Sequence, residues 1–458
     1  MTKFKHNLVL RSAKVLDAIL VTIPFVLCWY LYYAERVDNP FYAKGNYLMI
    51  ALFFIVYITF GRVYDAFQIS MQHISELVYG QFLAATVTDF IMYIVTWLLI
   101  KHLPNALPLL AALAGQTLLT TCWSTMAHKM YFRTFPPQPT AVIYDTRHGM
   151  EKLIGQYGLD IKYNVVYKAT AENCIANLSM LDNVSTVFLS GIHSHDRNII
   201  LKYCVEHDIG VLVIPRIGDT IMSGAHQMHM FHLPMLQVGR YNPAPEYLLV
   251  KRVVDVIISL VALVVLSPIF LVTAIAIKAT DHGPVFYKQT RLTKDGKEFG
   301  ILKFRSMRVD AEKDGVARLS TGENDDRITP VGKVIRACRI DELPQLLNIL
   351  SGEMTLVGPR AERPEIARQY CEKMPEFSLR LQAKAGLTGY AQVYGKYNTT
   401  PYDKLVMDLM YIAHPSIVED FKIMFATVKI LFVPESTEGV STGATTAMSE
   451  ENGDEIMA

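Results

Sequence analysis

The sequence has no paired cysteine spacing. Its six cysteines, Cys28, Cys122, Cys174, Cys204, Cys338 and Cys371, lie scattered through 458 residues, which argues against a disulfide or zinc framework and for reduced thiols. Nor is there an excess of either charge. Lys and Arg number 44 against 43 Asp and Glu, a formal net charge of +1, so composition gives no support for a nucleic-acid partner. A dinucleotide fingerprint is missing as well: after the first strand of the middle region the turn reads DTRHGM, with Gly149 as its only glycine, where such a turn would be glycine-rich. Before the first apolar run there is no short cleavable signal with a small-residue cleavage site, so that run is expected to remain as an anchor.

What is abundant is apolar surface. Hydrophobic residues make up 51% of the chain and aromatics 10%, high for a soluble protein, and the length allows two to four domains. Four apolar stretches, about Val15 to Tyr33, Asn46 to Phe60, Leu77 to Ile100 and Ala106 to Trp123, each approach the roughly 20 residues that cross a bilayer, the second being the shortest. Lys3, Lys5, Arg11 and Lys14 precede the first stretch and Lys129 and Arg133 follow the fourth, whereas Arg36, Lys44 and Lys101 lie on the opposite side. The positive-inside rule puts both ends of this region in the cytoplasm. Asp89 falls inside the third stretch, where a charge is either functional or held by an inward-facing hydrogen bond.

A proline-rich linker, Phe135 to Pro139, closes the membrane part. Short β-rich runs then begin at Thr140, Tyr163, Thr186 and Val211, with helical stretches such as Asp196 to His207 between them. That alternation predicts a small parallel α/β domain, Rossmann-like in layout. His226, His229 and His232 are spaced three apart and could share a helix face. No cysteine or carboxylate completes a ligand set beside them, so no zinc is expected.

Val253 to Ile277 is apolar apart from Asp255. A straight helix of that length, about 37 Å, would cross the roughly 30 Å hydrocarbon core. Lys251 and Arg252 precede it and Lys278, Lys288 and Arg291 follow, so both flanks are basic, and Ser267 and Pro268 interrupt its middle. Proline removes a helix hydrogen bond and bends the axis. A helix that enters the membrane and returns to the same face satisfies all these features. Further on, FKIMFATVKILF from Phe421 reads as a surface-lying helix or a core helix, and Glu435 to Ala458, rich in Ser, Thr, Gly and acids, reads as a disordered tail.

The densest chemistry lies between Arg336 and Arg360, where Arg336, Arg339 and Arg360 surround the adjacent acids Asp341 and Glu342. Cations alone would only bind an anion; cations with acids suit a site where a phosphate is held beside a carboxylate that attacks it or binds its metal. Leu343, Leu346, Leu347, Ile349 and Leu350 recur at helical spacing, which predicts an amphipathic helix with the acids at its start and Pro344 in its first turn. The plainer alternative makes Asp341 an N-cap and Glu342 a first-turn acid.

The region from about Lys251 to about Val433 resembles the bacterial sugar transferases, the monotopic phosphoglycosyl transferases or polyprenyl-phosphate hexose-1-phosphate transferases. The carriers are GPVFYKQTR from Gly283, ILKFRSM from Ile301, DDRITPVGKVIR from Asp325, DELPQLLNIL from Asp341, TLVGPRAE from Thr355 and GLTGYAQV from Gly386. The resemblance implies that a hexose 1-phosphate passes from a UDP-sugar to undecaprenyl phosphate with release of UMP, the first membrane step in making an exopolysaccharide, capsule or O-antigen. It implies Asp341 as a nucleophile forming a covalent phosphosugar and Glu342 as the Mg²⁺ ligand. Lys303, Arg336 and Arg360 are implied as phosphate contacts, Asp408 as a further residue of the substrate site, and Ser267 and Pro268 as the break in a re-entrant helix. The family usually reads Pro-Arg-Pro where this chain has Pro359, Arg360 and Ala361; the cation is kept and a rigid turn is lost.

The resulting layout is a four-helix transmembrane domain at 1–134, a Rossmann-like α/β domain at 140–238, a mixed α/β catalytic domain at 246–434 with its re-entrant helix at 251–278, and a disordered acidic tail at 435–458. The expected setting is the bacterial inner membrane, multi-pass, with the catalytic domain cytoplasmic and a homo-oligomer left open. The competing readings are single displacement with Asp341 only binding metal, an inverting glycosyltransferase that would release UDP, and a non-catalytic scaffold or nucleotide sensor of polysaccharide machinery.

Overall fold

The computed structural model describes residues 2–41, 44–309, 327–395 and 399–431. The expected tail at 435–458, and Asp325 at the head of one motif block, lie outside the described residues. The chain divides into two compact units, Met1–Ile214 and Pro215–Ala458.

The first unit opens with helices α1 (Thr2–Cys28), α2 (Lys44–Val63), α3 (Ile74–Ile100) and α4 (Leu107–Thr134). Three helical runs, Lys5–Arg36, α2 and α3, are long and apolar enough to cross a membrane. Of the four expected spans, α4 is the one outside those three. That helix forms over 28 residues, but Gln116, Thr117, Thr120, Thr121 and Ser124 break its apolar run. The polar side chains have a packing reason. Asp17 on α1 accepts from the Tyr57 hydroxyl of α2 at 2.9 Å and from Gln81 Nε2 of α3 at 3.0 Å, and Ser124 Oγ of α4 donates to Gln81 Oε1 at 2.7 Å. One buried chain of hydrogen bonds thus ties all four helices, as burial of polar groups among apolar helices requires. Asp89 is buried too and accepts from Gln116 at 3.3 Å.

After α4 the chain alternates β1 (Gln138–Tyr144), α5 (Met150–Gln156), β2 (Tyr163–Thr170), α6 (Ala171–Ala176), β3 (Thr186–Ser190), α7 (Ser194–Glu206) and β4 (Gly210–Val213). The four strands pair in parallel in the order β2-β1-β3-β4. Parallel strands need crossovers, which α5, α6 and α7 supply. Ile143, Leu189, Cys174 and Cys204 share one buried cluster on this sheet, and all six cysteines are free.

The second unit begins with α8 (Ile217–Ser223) and an antiparallel hairpin of β5 (His226–Met230) and β6 (Leu233–Gln237). Here the helix-face reading of the three histidines is overturned. His226 and His229 occupy one strand three positions apart, hence opposite faces, and His232 sits in the turn with φ 62°.

Helix α9 (Pro245–Val265) is followed by α10 (Ser267–Asp281) at a 61° bend. The break is chemically complete. Pro268 has no N–H for the Val264 carbonyl four residues back, and the Ser267 hydroxyl donates to that carbonyl at 2.7 Å. The start of α9 is docked by polar contacts. Lys251 pairs with Asp420 at 2.7 Å, Arg252 donates to the carbonyls of Ile349 and Leu350 at 2.6 and 2.8 Å, and Asp255 accepts from Thr355 Oγ1 and the Leu356 N–H at 2.6 and 3.0 Å.

The remaining elements are β7 (Phe286–Leu292), β8 (Glu298–Phe304), α11 (Pro330–Ala337), α12 (Gln345–Ser351), β9 (Thr355–Val357), α13 (Pro364–Lys373), β10 (Gly386–Thr388), α14 (Tyr390–Tyr394), α15 (Pro401–Ala413) and α16 (Ile417–Leu431). β7 and β8 form an antiparallel hairpin and β9 pairs with β10 in parallel. Leu346, Ile349, Leu356, Ile366, Phe377, Leu405, Leu409 and Ile423 share the core that joins them. α16 buries Ile423 in that core, and Ala426 is buried as well, while Val418, Phe421 and Val428 stay exposed, so it has one buried face and one bare apolar face.

Candidate active site

Three separate segments meet at Glu342. Lys303 of β8 places Nζ 2.8 Å from Glu342 Oε1, and Arg360, just beyond β9, places Nη2 3.4 Å from the same oxygen. Asn348 explains the approach of β8. Its Oδ1 accepts from the Leu302 N–H at 2.9 Å and its Nδ2 donates to the Gly300 carbonyl at 2.9 Å, so α12 grips the strand on both sides of Ile301 and brings Lys303 within reach of the acid. Asn348 belongs to the DELPQLLNIL block but drew no notice as a buried polar residue; its amide at a position between Leu347 and Ile349 was the available signal.

The acid pair does not start the helix, as the leucine spacing suggested. Asp341 and Glu342 occupy a separate 3₁₀ turn, Ile340–Glu342, and α12 begins only after Pro344. Neither acid caps it: the N-cap of α12 is Pro344, with no side-chain cap bond. Arg339, at φ 55°, turns the chain between α11 and the acids. The left-handed backbone costs about 1 kcal/mol or more at a non-glycine residue. It places the Arg336 and Arg339 charges close enough to act on Asp341.

The two neighbouring acids are driven apart. Burial pushes the Asp341 carboxyl above its ordinary range; the Lys303, Arg336 and Arg339 charges oppose that and the Glu342 charge adds to it. Burial acts the same way on Glu342, but Lys303 and Arg360 outweigh it and hold this carboxylate well below the usual range. Glu342 in turn pushes Arg360 up. The result is one firmly ionised acid between two cations, beside a second, more basic carboxylate.

Arg360 lies in a turn that two glycines make possible. Gly386 donates to the Pro359 carbonyl at 2.9 Å and bridges Arg360 in parallel; a Cβ on Gly386 would fall 2.2 Å from the Gly358 nitrogen. The GLTG and VGPR blocks are therefore one structural unit. The expected residues thus divide. Lys303, Glu342 and Arg360 are in contact, Asp341 adjoins them, and Arg336 acts on Asp341 through its charge. Asp408 on α15 stands apart, 1% exposed and paired with Arg380 at 2.7 Å. Ser267 and Pro268 form the bend between α9 and α10. Glu362 and Arg380, together with Arg291, which the sequence offered only as a basic flank, form a charged network that ends on Asp408.

Among the described residues no cluster of three or more metal-ligating side chains is gathered. Two adjacent carboxylates, one kept ionised, nonetheless suit Mg²⁺, which takes one or two carboxylates and fills its other positions with water and substrate phosphate.

Comparison with known proteins converges on the same region. Residues 246–434 match the model of the bacterial sugar transferase family. A protein of Caulobacter vibrioides named as UDP-glucose:undecaprenyl-phosphate glucose-1-phosphate transferase is 40% identical over 191 residues, 41% of this chain and 71% of its own length. The exopolysaccharide production protein PSS of Rhizobium leguminosarum bv. phaseoli is 42% identical over 201 residues, 42% of this chain and 98% of its own. A UDP-N-acetylgalactosamine-undecaprenyl-phosphate N-acetylgalactosaminephosphotransferase of Aeromonas hydrophila is 36% identical over 234 residues, 50% of this chain; the chain spans only about half of that relative, 54% of its length.

Proposed function

The chain belongs to the bacterial sugar transferase family, and we propose that it transfers a hexose 1-phosphate from a UDP-sugar to undecaprenyl phosphate, releasing UMP, as the opening membrane step of an exopolysaccharide, capsule or O-antigen. The observation that carries this reading is the Glu342 carboxylate held between Lys303 and Arg360 beside buried Asp341. Phosphoryl transfer is mostly positioning and charge neutralisation, and this cluster offers both next to a nucleophile.

In the proposed sequence Asp341 Oδ attacks the sugar-linked phosphorus as the bond to UMP breaks, leaving an acyl phosphate. A phosphate oxygen of the polyprenyl phosphate then attacks the same phosphorus and the Asp341 carboxylate departs, giving the polyprenyl diphosphosugar. A carboxylate made more basic by burial is a stronger nucleophile. Arg336, Lys303 and Arg360 hold the diphosphate; Glu342 keeps the two cations in place. Glu342 would hold Mg²⁺, which when bound adds charge neutralisation at the phosphates.

The same reading makes α9 and α10 a re-entrant membrane helix. Its support is the 61° bend, the basic residues at both ends and the docking of Lys251, Arg252 and Asp255. The four-stranded parallel sheet is read as Rossmann-like with a regulatory or structural role, and the setting as the bacterial inner membrane with the catalytic part cytoplasmic. The first sugars to try are glucose and galactose.

The test is nucleotide release in lipid nanodiscs from UDP-glucose, UDP-galactose and UDP-N-acetylgalactosamine with Mg²⁺, with and without undecaprenyl phosphate, beside Asp341→Asn. The expected result is UMP at catalytic levels only with lipid, a stoichiometric burst without it, and neither in the variant. UDP as product, or turnover surviving in Asp341→Asn, refutes the mechanism; no turnover with any of the three refutes the transfer reading.

A further inference from the structure

The two residues that follow Arg360, Ala361 and Glu362, are held by residues that the transfer chemistry does not use. We propose that Arg291, Glu362 and Arg380, seated on Asp408, form a clamp that positions Arg360 for the nucleotide diphosphate. The proposal rests on the transfer reading above and assigns Arg291, Glu362 and Arg380 as positioning residues.

The clamp closes on the two residues that follow Arg360. Arg291 of β7 donates from Nη1 to the Ala361 carbonyl at 3.0 Å and lies 4.0 Å from Glu362 Oε2. Its other edge is locked, since Nε and Nη2 both donate to Gln289 Oε1 at 3.2 and 2.8 Å. With both edges engaged the planar guanidinium has little freedom left. On the next residue of β7, the Leu292 N–H donates to the Glu362 carbonyl at 2.9 Å. From another direction Arg380 lies 3.4 Å from Glu362 Oε1 and 2.7 Å from Asp408 Oδ2. The Arg380 side chain is 4% exposed and that of Asp408 1%, so a solute cannot reach them. Their ion pair bears on the site through Glu362, which Arg380 also contacts.

This chain has a particular need for such a device. Residue 361 is alanine, whose φ no ring restrains. Hydrogen bonds to the Ala361 and Glu362 carbonyls substitute for that restraint, and the Gly386 N–H on Pro359 completes it on the preceding side at 2.9 Å. Arg360 itself is 41% exposed, a long side chain with ample freedom if its backbone moves. A shifted Arg360 contacts the diphosphate poorly in the ground state, which shows in KM.

The experiment is a double-mutant cycle on UMP release in nanodiscs, with undecaprenyl phosphate, Mg²⁺ and UDP-glucose, or UDP-galactose where that is the sugar turned over. Arg291→Gln and Arg360→Ala are each expected to raise KM for the nucleotide sugar about tenfold, the loss of one charge-assisted contact. The double variant is expected to match Arg360→Ala within about twofold, because a clamp acting through Arg360 has nothing to add once Arg360 is gone. Multiplying losses, near a hundredfold in KM, overturn the proposal, as does an unchanged KM in Arg291→Gln. A merely structural loss lowers the active fraction, hence kcat, without raising KM. If Arg291→Gln does not fold, Glu362→Gln enters the same cycle with the same two outcomes. An unsubstituted protein that releases no UMP refutes the transfer reading itself, a result visible before any variant is compared.

Discussion

Two neighbouring acids should respond to neutralisation with opposite signs. In Glu342→Gln the cations Lys303 and Arg360, 2.8 and 3.4 Å from one oxygen, lose their shared counter-charge. At an effective dielectric of about 20, a unit-charge pair at the 2.8 Å separation is worth about 6 kcal/mol before desolvation. Much of that is returned. Lys303 and Glu342 are 19% and 14% exposed, partly dehydrated, and Arg360 at 41% can turn to water. We expect a net loss of about 2 kcal/mol, roughly thirtyfold in the local opening constant. Asp341→Asn removes a carboxylate whose burial is the largest influence on it, so it should leave the region as stable as before or more stable by about 1 kcal/mol.

The pH dependence follows from the same directions. Glu342 has a depressed folded value, so its contribution is complete above the ordinary glutamate value of 4.5 and is lost as pH falls through the folded one. Asp341, with a raised value, contributes a cost that is complete above that raised value and shrinks as pH falls from it toward the ordinary aspartate value of 3.8. Tryptophan fluorescence is the wrong probe, because Trp29, Trp97 and Trp123 all belong to the first unit. Hydrogen exchange read by mass spectrometry over residues 298–304 and 340–351 reports the right one. Glu342→Gln exchanging no faster than the unsubstituted protein, or Asp341→Asn accelerating as much, would refute the reasoning.

Three further outcomes are expected. Replacing Pro268 and Ser267 together by alanine restores the helix hydrogen bond to Val264 and should relax the 61° bend; labelling of a cysteine introduced at Lys288 should then shift partly to the opposite membrane face, and unchanged labelling would count against the re-entrant reading. Asp255→Ala strands the Thr355 hydroxyl and the Leu356 N–H, which should cost about 3 kcal/mol and speed exchange across β9. Chelation of divalent cations should lower UMP release at least about tenfold, with recovery on adding Mg²⁺; full activity in chelator would remove the metal from the mechanism.

Much of the architecture was legible because it rests on local chemistry. The strands β1, β2 and β3 follow from β-branched runs between turn residues, and the bend at Ser267 and Pro268 from a missing N–H. Where local rules pointed to the wrong answer, tertiary context explains it. Three histidines at helical spacing fall on a hairpin because β6 pairs with β5. The acids precede α12 in their own turn because Arg339 adopts a left-handed backbone.

By itself the sequence determined which residue types the motif blocks bring to the candidate site, Asp341, Glu342, Lys303, Arg336 and Arg360, and that three helical runs are apolar enough to cross a membrane. Only the tertiary structure decided which charges meet. Glu342 takes its partners from 39 and 18 residues away along the chain, and Asp408 takes Arg380. Helix and strand preferences come from steric limits between near neighbours, which a sequence displays directly. Ion pairing in a buried site depends on which distant segments the core packs side by side, and no local pattern carries that information.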